Sequence, residues 1–174
     1  MFPIVLNLSQ IPVLLVGRGE LLVRRRKQLE EGGAARLVIK ETPSQEDIQD
    51  AAVVMVAGLP RAEAERIVQQ ARGLGKLVNV EDVNDLCDFY FTANVRRGDL
   101  LIAISTGGAS PTLARKIRDA IGAMFGEEWA ARVRDMARER RAWKAAGATF
   151  HQLIDNSEKY LKEKGWFTDE DKAA

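Results

Sequence analysis

Cysteine and histidine are almost absent from this chain of 174 residues, which has one of each. A lone cysteine, Cys87, cannot form a disulfide within the chain, and a lone histidine, His151, cannot complete a Cys/His metal cluster. Hydrophobic runs such as 11–16 and 51–57 are far too short to cross a bilayer. The sequence therefore predicts no disulfide, no Cys/His metal site and no membrane span. We expect Cys87 to be a buried or half-buried thiol, and His151 a surface or interface residue.

A surplus of charge of one sign is lacking as well. The 26 basic and 25 acidic residues leave a net charge of +1, whereas proteins that bind phosphate backbones normally carry a broad basic surplus. Basic residues do cluster at 24–27 and 132–141, where they form either a solvated helix face or a site for an anionic partner. The first residues do not resemble an export signal. We therefore expect a cytoplasmic protein without a nucleic-acid or membrane partner.

What the sequence does contain is an alternation of strand and helix patterns. Residues 11–16 form a continuous apolar run, which is typical of a strand buried on both faces. A helix is predicted from Glu20 to Glu31, before two glycines, and a strand follows at 36–39. The next predicted elements are a strand at 52–57, a helix at 61–72 and a strand at 76–80. This order requires right-handed crossovers, so the sequence predicts an α/β fold with a Rossmann-like domain over 1–82.

The pattern changes after residue 82. Apolar residues at 89–91 and 100–104 flank a turn signal at 96–99, which predicts an antiparallel hairpin. From Pro111 onward the helical periodicity is almost unbroken. We therefore predict two further parts, which are a central region at 83–112 and a helical carboxyl-terminal domain at 113–174.

The connection between the first strand and the first helix contains Gly17 and Gly19. Small residues there let backbone amides approach a pyrophosphate at the positive end of the helix. The full dinucleotide-binding pattern has glycine or alanine where Leu22 stands, so a tight turn without ligand is the alternative. A carboxylate for the cofactor's ribose is expected about 20 residues later. Glu41 has that place, and Lys40 beside it leaves the choice between NAD and NADP open.

Two polar segments follow predicted strands. Glu81 and Asp82 come after the strand at 76–80, at the edge where ligands bind in open α/β sheets, although an acidic residue there is often only a turn or cap. If the chain stays extended, only one of the two carboxylates faces the cleft. Residues 105–111 combine hydroxyls, two glycines and a proline ahead of a helix. Their exposed amides and hydroxyls suit a carboxylate ligand.

Four segments together resemble the precorrin-2 dehydrogenase family, which includes stand-alone bacterial enzymes and the amino-terminal module of siroheme synthases. The segments are 16–20 with Arg24, 79–82, 87–89 and 104–115. The resemblance covers nearly the whole chain. It implies a homodimer with an NAD-binding Rossmann domain, a dimerisation region at 83–112 and a helical tail, and a tetrapyrrole substrate in the cleft between them.

The resemblance also implies roles for individual residues. Asp82 matches the catalytic aspartate, which would accept a proton while a hydride leaves for the nicotinamide. The residues expected to contact NAD are Gly17, Gly19, Glu20, Leu21, Glu41 and Thr42. Those expected at the substrate are Ser105, Thr106, Gly107 and Gly108, of which Thr106 takes the place of a hydroxyl residue of the family.

The chain departs from the family's pattern at three points. The interval from Val38 to Ala51 is short, which predicts the loss of a helix and a strand. Residues 56–60 replace a segment that normally lies near the cofactor, and Arg18 replaces a glycine, from where it could meet the pyrophosphate. Three functions follow: oxidation of precorrin-2 to sirohydrochlorin with NAD, a degenerate binding module, or a ferrochelatase that takes ferrous iron as substrate.

Overall fold

A four-stranded parallel sheet organises the first half of the chain. The computed structural model describes residues 2–167. The strands are β1 (Val13–Gly17), β2 (Leu37–Lys40), β3 (Val53–Ala57) and β4 (Leu77–Val80), in the spatial order β2-β1-β3-β4. In the register of the sheet, Leu15 lies between Ile39 and Met55. The predicted α/β class with parallel strands is therefore confirmed.

Helices cover both faces of this sheet. They are α1 (Gly19–Glu31), α2 (Gln45–Asp50) and α3 (Arg61–Gly73). On one face Leu29 of α1 packs with Leu15 and Met55. On the other face Ile67 of α3 packs with Val54. Because both faces are covered, every residue of β1 and β3 is buried, which explains why these strands appear in the sequence as continuous apolar runs.

The segment between β2 and β3 contains a helix that the sequence pattern did not predict. This helix, α2, has six residues, and the expectation that the interval has lost a helix and a strand of the family remains a prediction. Its start is a capping box, in which the Ser44 hydroxyl accepts the Asp47 N–H at 3.1 Å and the Asp47 carboxylate accepts the Ser44 N–H at 2.8 Å. Ile48 is its one apolar residue and is fully buried, so hydrophobic periodicity had nothing to detect.

An irregular segment covers the outer edge of β4. The Asp88 N–H donates to the Val78 carbonyl at 2.8 Å, and the Asp88 carboxylate accepts the Val78 N–H at 2.9 Å. The Cys87 thiol accepts the Val80 N–H at 3.2 Å and is half-buried, as expected. These bonds satisfy the edge of the sheet as a fifth strand would. They also hold the chain beyond residue 82 against the first half.

The chain divides after Phe91 into two compact units. The second unit begins with an antiparallel hairpin of β5 (Ala93–Arg97) and β6 (Leu100–Ile104), followed by α4 (Pro111–Met124), α5 (Trp129–Ala145) and α6 (Phe150–Glu163). The predicted hairpin is confirmed, but its first strand begins at Ala93 rather than at Phe89. Gly98 has a φ of 58°, which suits the first position of a two-residue loop. No helix of the described residues is long and apolar enough to span a bilayer.

Candidate cofactor and catalytic site

The strand order places a crevice between the carboxyl ends of β1 and β3. β1 connects to β2 on one side and β3 connects to β4 on the other, so the connections leave these adjacent strands in opposite directions. Open α/β sheets bind ligands at such a switch point. The two strand ends are joined there, because the Arg18 N–H donates to the Ala57 carbonyl at 3.2 Å.

Two glycines permit this close approach, and a third has another role. A Cβ on Gly17 would lie 1.7 Å from the Ala57 carbonyl oxygen, and one on Gly58 would lie 2.1 Å from the Arg18 carbonyl oxygen. Gly19 also has a positive φ, 71°, but a Cβ there would meet no atom within 4 Å. Gly17 and Gly58 are therefore required by the fold, whereas Gly19 borders open space. The sequence analysis did not predict this role of Gly58, although a glycine directly after a buried strand can indicate the close approach of another backbone.

The amino-terminal end of α1 offers backbone donors beside that open space. The helix begins at Gly19, followed by Glu20 and Leu21, and its N-cap Arg18 makes no side-chain capping bond. The first N–H groups of a helix have no partner within it, and the helix dipole favours an anion there. The residues present thus fit a dinucleotide pyrophosphate. In the described part of the chain, no three His, Cys, Asp or Glu side chains are grouped to hold a metal ion.

The side chain of Arg18 is engaged by two carboxylates. It lies 3.1 Å from Glu63, in the first turn of α3, and 3.4 Å from Glu41, directly after β2. The hydrogen bond to Glu63 raises the pKa of Arg18. The possibility that Arg18 meets a pyrophosphate remains a prediction, and such a contact would have to compete with these two carboxylates. Glu63 was not among the residues that the sequence predicts for the site. Glu41 and the neighbouring Thr42, which were predicted, are both exposed.

Asp82 follows β4 at the same sheet edge as Gly17. Only β3 lies between their strands, so roughly 10 Å of edge separates them. Among the described residues, Asp82 is the one non-glycine residue with a positive φ, 60°, and its turn is closed by the Val83 N–H, which donates to the Val80 carbonyl at 3.3 Å. The side chain is exposed. Residues held in this sparsely populated conformation cluster at functional sites.

Glu81 has a different environment from its neighbour Asp82. Its side chain is only 7% exposed, and its carboxylate forms ion pairs with Arg24 and Arg25 of α1. The Arg25 guanidinium is buried and lies 3.7 Å from the centroid of the Phe91 ring. Burial lowers the pKa of Arg25 to about 10, which leaves it protonated at neutral pH. Of the two adjacent carboxylates, Asp82 thus faces solvent and Glu81 faces α1.

The basic run at 24–27 is not one surface. Arg24 and Arg25 bind Glu81, whereas Arg26 and Lys27 pair with glutamates one helical turn later on the exposed face of α1. The solvated-face interpretation therefore holds for Arg24, Arg26 and Lys27, whose side chains are exposed, and fails for Arg25. Sequence reasoning missed the buried Arg25 because nothing in a run of four basic residues marks which of them points inward.

The loop between β6 and α4 lies in the second unit. Ser110 is the N-cap of α4, where its hydroxyl accepts the Leu113 N–H at 3.1 Å, as the sequence predicts. The Thr106 hydroxyl accepts the Ser110 N–H at 3.3 Å and donates to the Ser110 carbonyl at 3.2 Å. Thr106 therefore uses its hydroxyl to close the loop from within.

The exposed part of that loop consists of Ser105, Gly107 and Gly108. The Ser105 hydroxyl accepts the Gly107 N–H at 3.2 Å. Gly107 and Gly108 have φ values of 65° and 86°, and a Cβ on Gly108 would meet no atom within 4 Å. The loop is thus shaped by its own hydrogen bonds, and its glycine backbone is accessible. Its role as a substrate site remains a prediction.

Two family models match the chain in succession. One, described as putative NAD(P)-binding, matches residues 4–93, and the other, described as the central part of a sirohaem biosynthesis protein, matches residues 97–124. The gap between the two matches falls near the division after Phe91.

The chain is similar to several curated proteins named siroheme synthase. One from Methylococcus capsulatus is 37% identical over 139 residues, which are 68% of this chain and 29% of that protein. One from Nitrosomonas europaea is 32% identical over 165 residues, which are 79% of this chain and 35% of that protein. The chain therefore spans roughly a third of the length of these relatives.

A solved structure shares the fold along the whole chain. It is that of SirC, a precorrin-2 dehydrogenase, with a TM-score of 0.71 over 100% of this chain and 93% of the other, at 22% sequence identity. The likeness confirms the predicted fold, a Rossmann-like half followed by a helical region.

Proposed function

This chain belongs to the family described as putative NAD(P)-binding and is a relative of siroheme synthases, and on that basis we propose that it oxidises precorrin-2 to sirohydrochlorin with NAD. One observation carries the proposal. The start of α1 after Gly19, suited to a pyrophosphate, and the exposed, strained Asp82 lie on one sheet edge. The substrate is proposed because the chain is similar to siroheme synthases and shares its fold with a precorrin-2 dehydrogenase.

The first role of the chain is to hold the cofactor. NAD, when bound, supplies the acceptor for the hydride that leaves the tetrapyrrole. The first amides of α1 would bind its pyrophosphate, and the exposed carboxylate of Glu41 would accept a hydrogen bond from a ribose hydroxyl. The full set of proposed cofactor contacts is Gly17, Gly19, Glu20, Leu21, Glu41 and Thr42.

The second role is to accept the proton that leaves with the hydride. The Asp82 carboxylate is exposed and has no hydrogen-bonding or ion-pair partner among the described residues. An ionised carboxylate in that position is free to take a proton from the substrate, as a general base does.

The third role is to hold the substrate's carboxylates. We assign this to the loop residues Ser105, Thr106, Gly107 and Gly108. The accessible glycine backbone and the Ser105 hydroxyl support the assignment, because hydroxyls and amides suit carboxylate ligands.

The proposal extends to assembly, iron and location. We propose a homodimer with 83–112 as its dimerisation region, and the exposed Leu113, Ile117 and Met124 of α4, which follows that region, support a further contact between the two copies. Ferrous iron is proposed as a second substrate, since the same Asp82 carboxylate could take the pyrrole protons.

A cytoplasmic location is proposed because the reaction depends on the cell's NAD pool, and cell fractionation would test it.

The Asp82→Asn variant tests the function directly. It keeps the size and polarity of the side chain but cannot take a proton, so we expect about 10²–10⁴-fold slower sirohydrochlorin formation. Binding of NAD and of tetrapyrrole should be retained. The measurement is anaerobic incubation with precorrin-2 and NAD, followed by absorbance, with a second run that adds ferrous iron.

The control for this test is Asp85→Asn. Asp85 is an exposed carboxylate three residues further on that pairs with Arg61, and its removal should leave turnover unchanged. Near-wild-type turnover by Asp82→Asn would remove Asp82 from the mechanism. A wild type without any turnover would favour the degenerate binding module, and iron insertion without dehydrogenation would favour the ferrochelatase.

A further inference from the structure

We propose that Glu81 is a positioning residue: through its ion pairs with Arg24 and Arg25 it holds the turn that presents Asp82. We call the three paired side chains, Glu81, Arg24 and Arg25, the clamp. This inference rests on the proposed function in one respect, which is the role of Asp82 as base.

The carboxylate of Glu81 is held at both oxygens. One accepts a hydrogen bond from Arg24 and the other from Arg25, so the group cannot rotate without breaking one of them. The Glu81 N–H donates to the Val56 carbonyl at 2.8 Å. Glu81 is thus fixed by α1 through its side chain and by β3 through its backbone.

Arg25 is held as firmly as its partner. Its guanidinium also donates to the Gln28 side chain at 3.0 Å and stacks on the Phe91 ring. The Arg25 side chain is 9% exposed, whereas that of Arg24 is 57% exposed, where water screens its charge. The buried half of the clamp is therefore the pair of Glu81 and Arg25.

The stability of the fold does not by itself explain a buried ion pair here. Removing two charges from water costs about as much as their attraction returns, and apolar side chains of similar volume are often as stable. What directional bonds add is a defined orientation. The next residue gains from one, because Asp82 has a positive φ, and even aspartate, which visits this region more often than most residues, populates it as a minority conformation in a free chain.

The clamp also links the two parts of the proposed site. α1 begins at the glycine loop, and Arg24 and Arg25 lie in the second turn of the same helix. The helix that receives the cofactor's pyrophosphate is therefore the helix that fixes the turn of Asp82. A displacement of α1 would therefore move the turn of Asp82 through the buried ion pair of Arg25 with Glu81.

The double variant Glu81→Leu/Arg25→Met tests the clamp, because it removes the pair without leaving one charge buried alone. We expect it to fold, with a Tm within about 5 °C of wild type and KM values within about twofold. Its kcat should be about 10–100-fold lower, since misplacing a reacting group by about 1 Å can cost 100-fold. A folded double variant with wild-type kcat would overturn the proposal.

Two single variants separate failure of the clamp from failure of the proposed function. If Asp82→Asn keeps full turnover, the assignment of the base is wrong. If Asp82→Asn is inactive and the double variant is fully active, the clamp is wrong. Asp85→Asn removes an exposed ion pair near the same turn and should change neither kcat nor KM.

Amide hydrogen exchange gives a measurement that needs no turnover. The Val83 N–H closes the turn by donating to Val80, and its protection should fall at least tenfold in the double variant but not in Asp85→Asn. Unchanged protection would count against the clamp even in a protein without dehydrogenase activity. If the double variant does not fold, Glu81→Asp replaces it. That change keeps both charges and shortens the reach by one methylene, so wild-type kcat and wild-type Val83 protection would then overturn the proposal.

Discussion

The two compact units bury their apolar side chains to very different degrees. Among the described residues, eighteen apolar side chains are buried before residue 92 and three after it, which are Val95, Ala114 and Leu153. The strands β1 and β3, which are covered on both faces, account for nine of the first set. In the second unit, the 17-residue helix α5 has no buried residue at all. The first unit therefore has an extensive buried core, whereas the core of the second unit is sparse.

The second unit also exposes large apolar side chains on two of its helices. They are Leu113, Ile117 and Met124 on α4, and Phe150 and Ile154 on α6. On α4, Leu113 and Ile117 are one helical turn apart, and exposed apolar side chains grouped on one helix face are typical of an interaction site. The proposed division of labour, in which the first unit holds the cofactor and the second contacts another copy, rests on this placement of apolar residues on α4 and α6 together with the sparse core.

Matched truncations of the two cores should have the largest effect on this comparison. Leu15 is fully buried in the first unit, and Leu153, 6% exposed, is the buried leucine of α6. We expect Leu15→Ala to lower the free energy of unfolding by about 2–5 kcal/mol. Leu153→Ala should lower the free energy of unfolding by less, because side chains around a loosely packed site can move in to fill the space left by the missing atoms.

The distribution of tryptophan makes this experiment selective. All three tryptophans, at positions 129, 143 and 166, lie in the second unit, so urea unfolding followed by fluorescence reports on that unit, whereas circular dichroism reports on both. Leu15→Ala should shift the dichroism transition and leave the fluorescence transition in place. Equal shifts in both signals would show that the units unfold together, and the comparison would fail.

A pair of glycine variants should have an intermediate effect and sharpen the description of the first unit. Gly17→Ala forces a Cβ onto the Ala57 carbonyl, so we expect a loss of about 1–3 kcal/mol in the free energy of unfolding. Gly19→Ala meets open space and should cost only about 1 kcal/mol, for its positive φ.

For NAD affinity we expect the opposite ranking, with Gly19→Ala as the more damaging of the two substitutions in a protein that stays folded. The methyl group of Gly19→Ala occupies space that the pyrophosphate needs, so calorimetric titration should show at least tenfold weaker binding by a protein that remains folded. Equal affinity of Gly19→Ala and wild type would remove Gly19 from the cofactor loop, while urea unfolding serves as the check on folding for both variants.

The smallest expected effect concerns self-association. A lysine at position 117 places a charge on the exposed apolar face of α4, so Ile117→Lys should weaken a dimer at least tenfold. Light scattering should give twice the chain mass for wild type and a lower average for the variant. Val38→Lys is the matched control, since Val38 is 45% exposed on the first unit. A wild type that is monomeric at micromolar concentration, or equal effects of both lysines, would contradict this division.

Much of the first unit could be predicted because its signals are local. Continuous apolar runs predict strands buried on both faces, and the structure has them. The hairpin of the second unit was predicted as well, but its first strand was expected from Phe89 and begins at Ala93. Phe89 and Phe91 look like strand residues in the sequence, yet Phe89 packs on the α1 face of the sheet and Phe91 stacks on Arg25. Both belong to the first unit because of contacts made far away in the chain.

The sequence by itself determined the parallel sheet, the glycine loop between β1 and α1, the cap of α4 and the place of the acidic pair after β4. Each depends on neighbouring residues or on a short repeat of apolar residues, and both can be recognised in a single sequence. Only the tertiary structure decided which acid is buried. Glu81 and Asp82 are adjacent and alike in type, and the difference between them is set by Arg25, 56 residues away in the chain. Burial of a carboxylate depends on whether a cation is brought to it in space, and no local pattern contains that information.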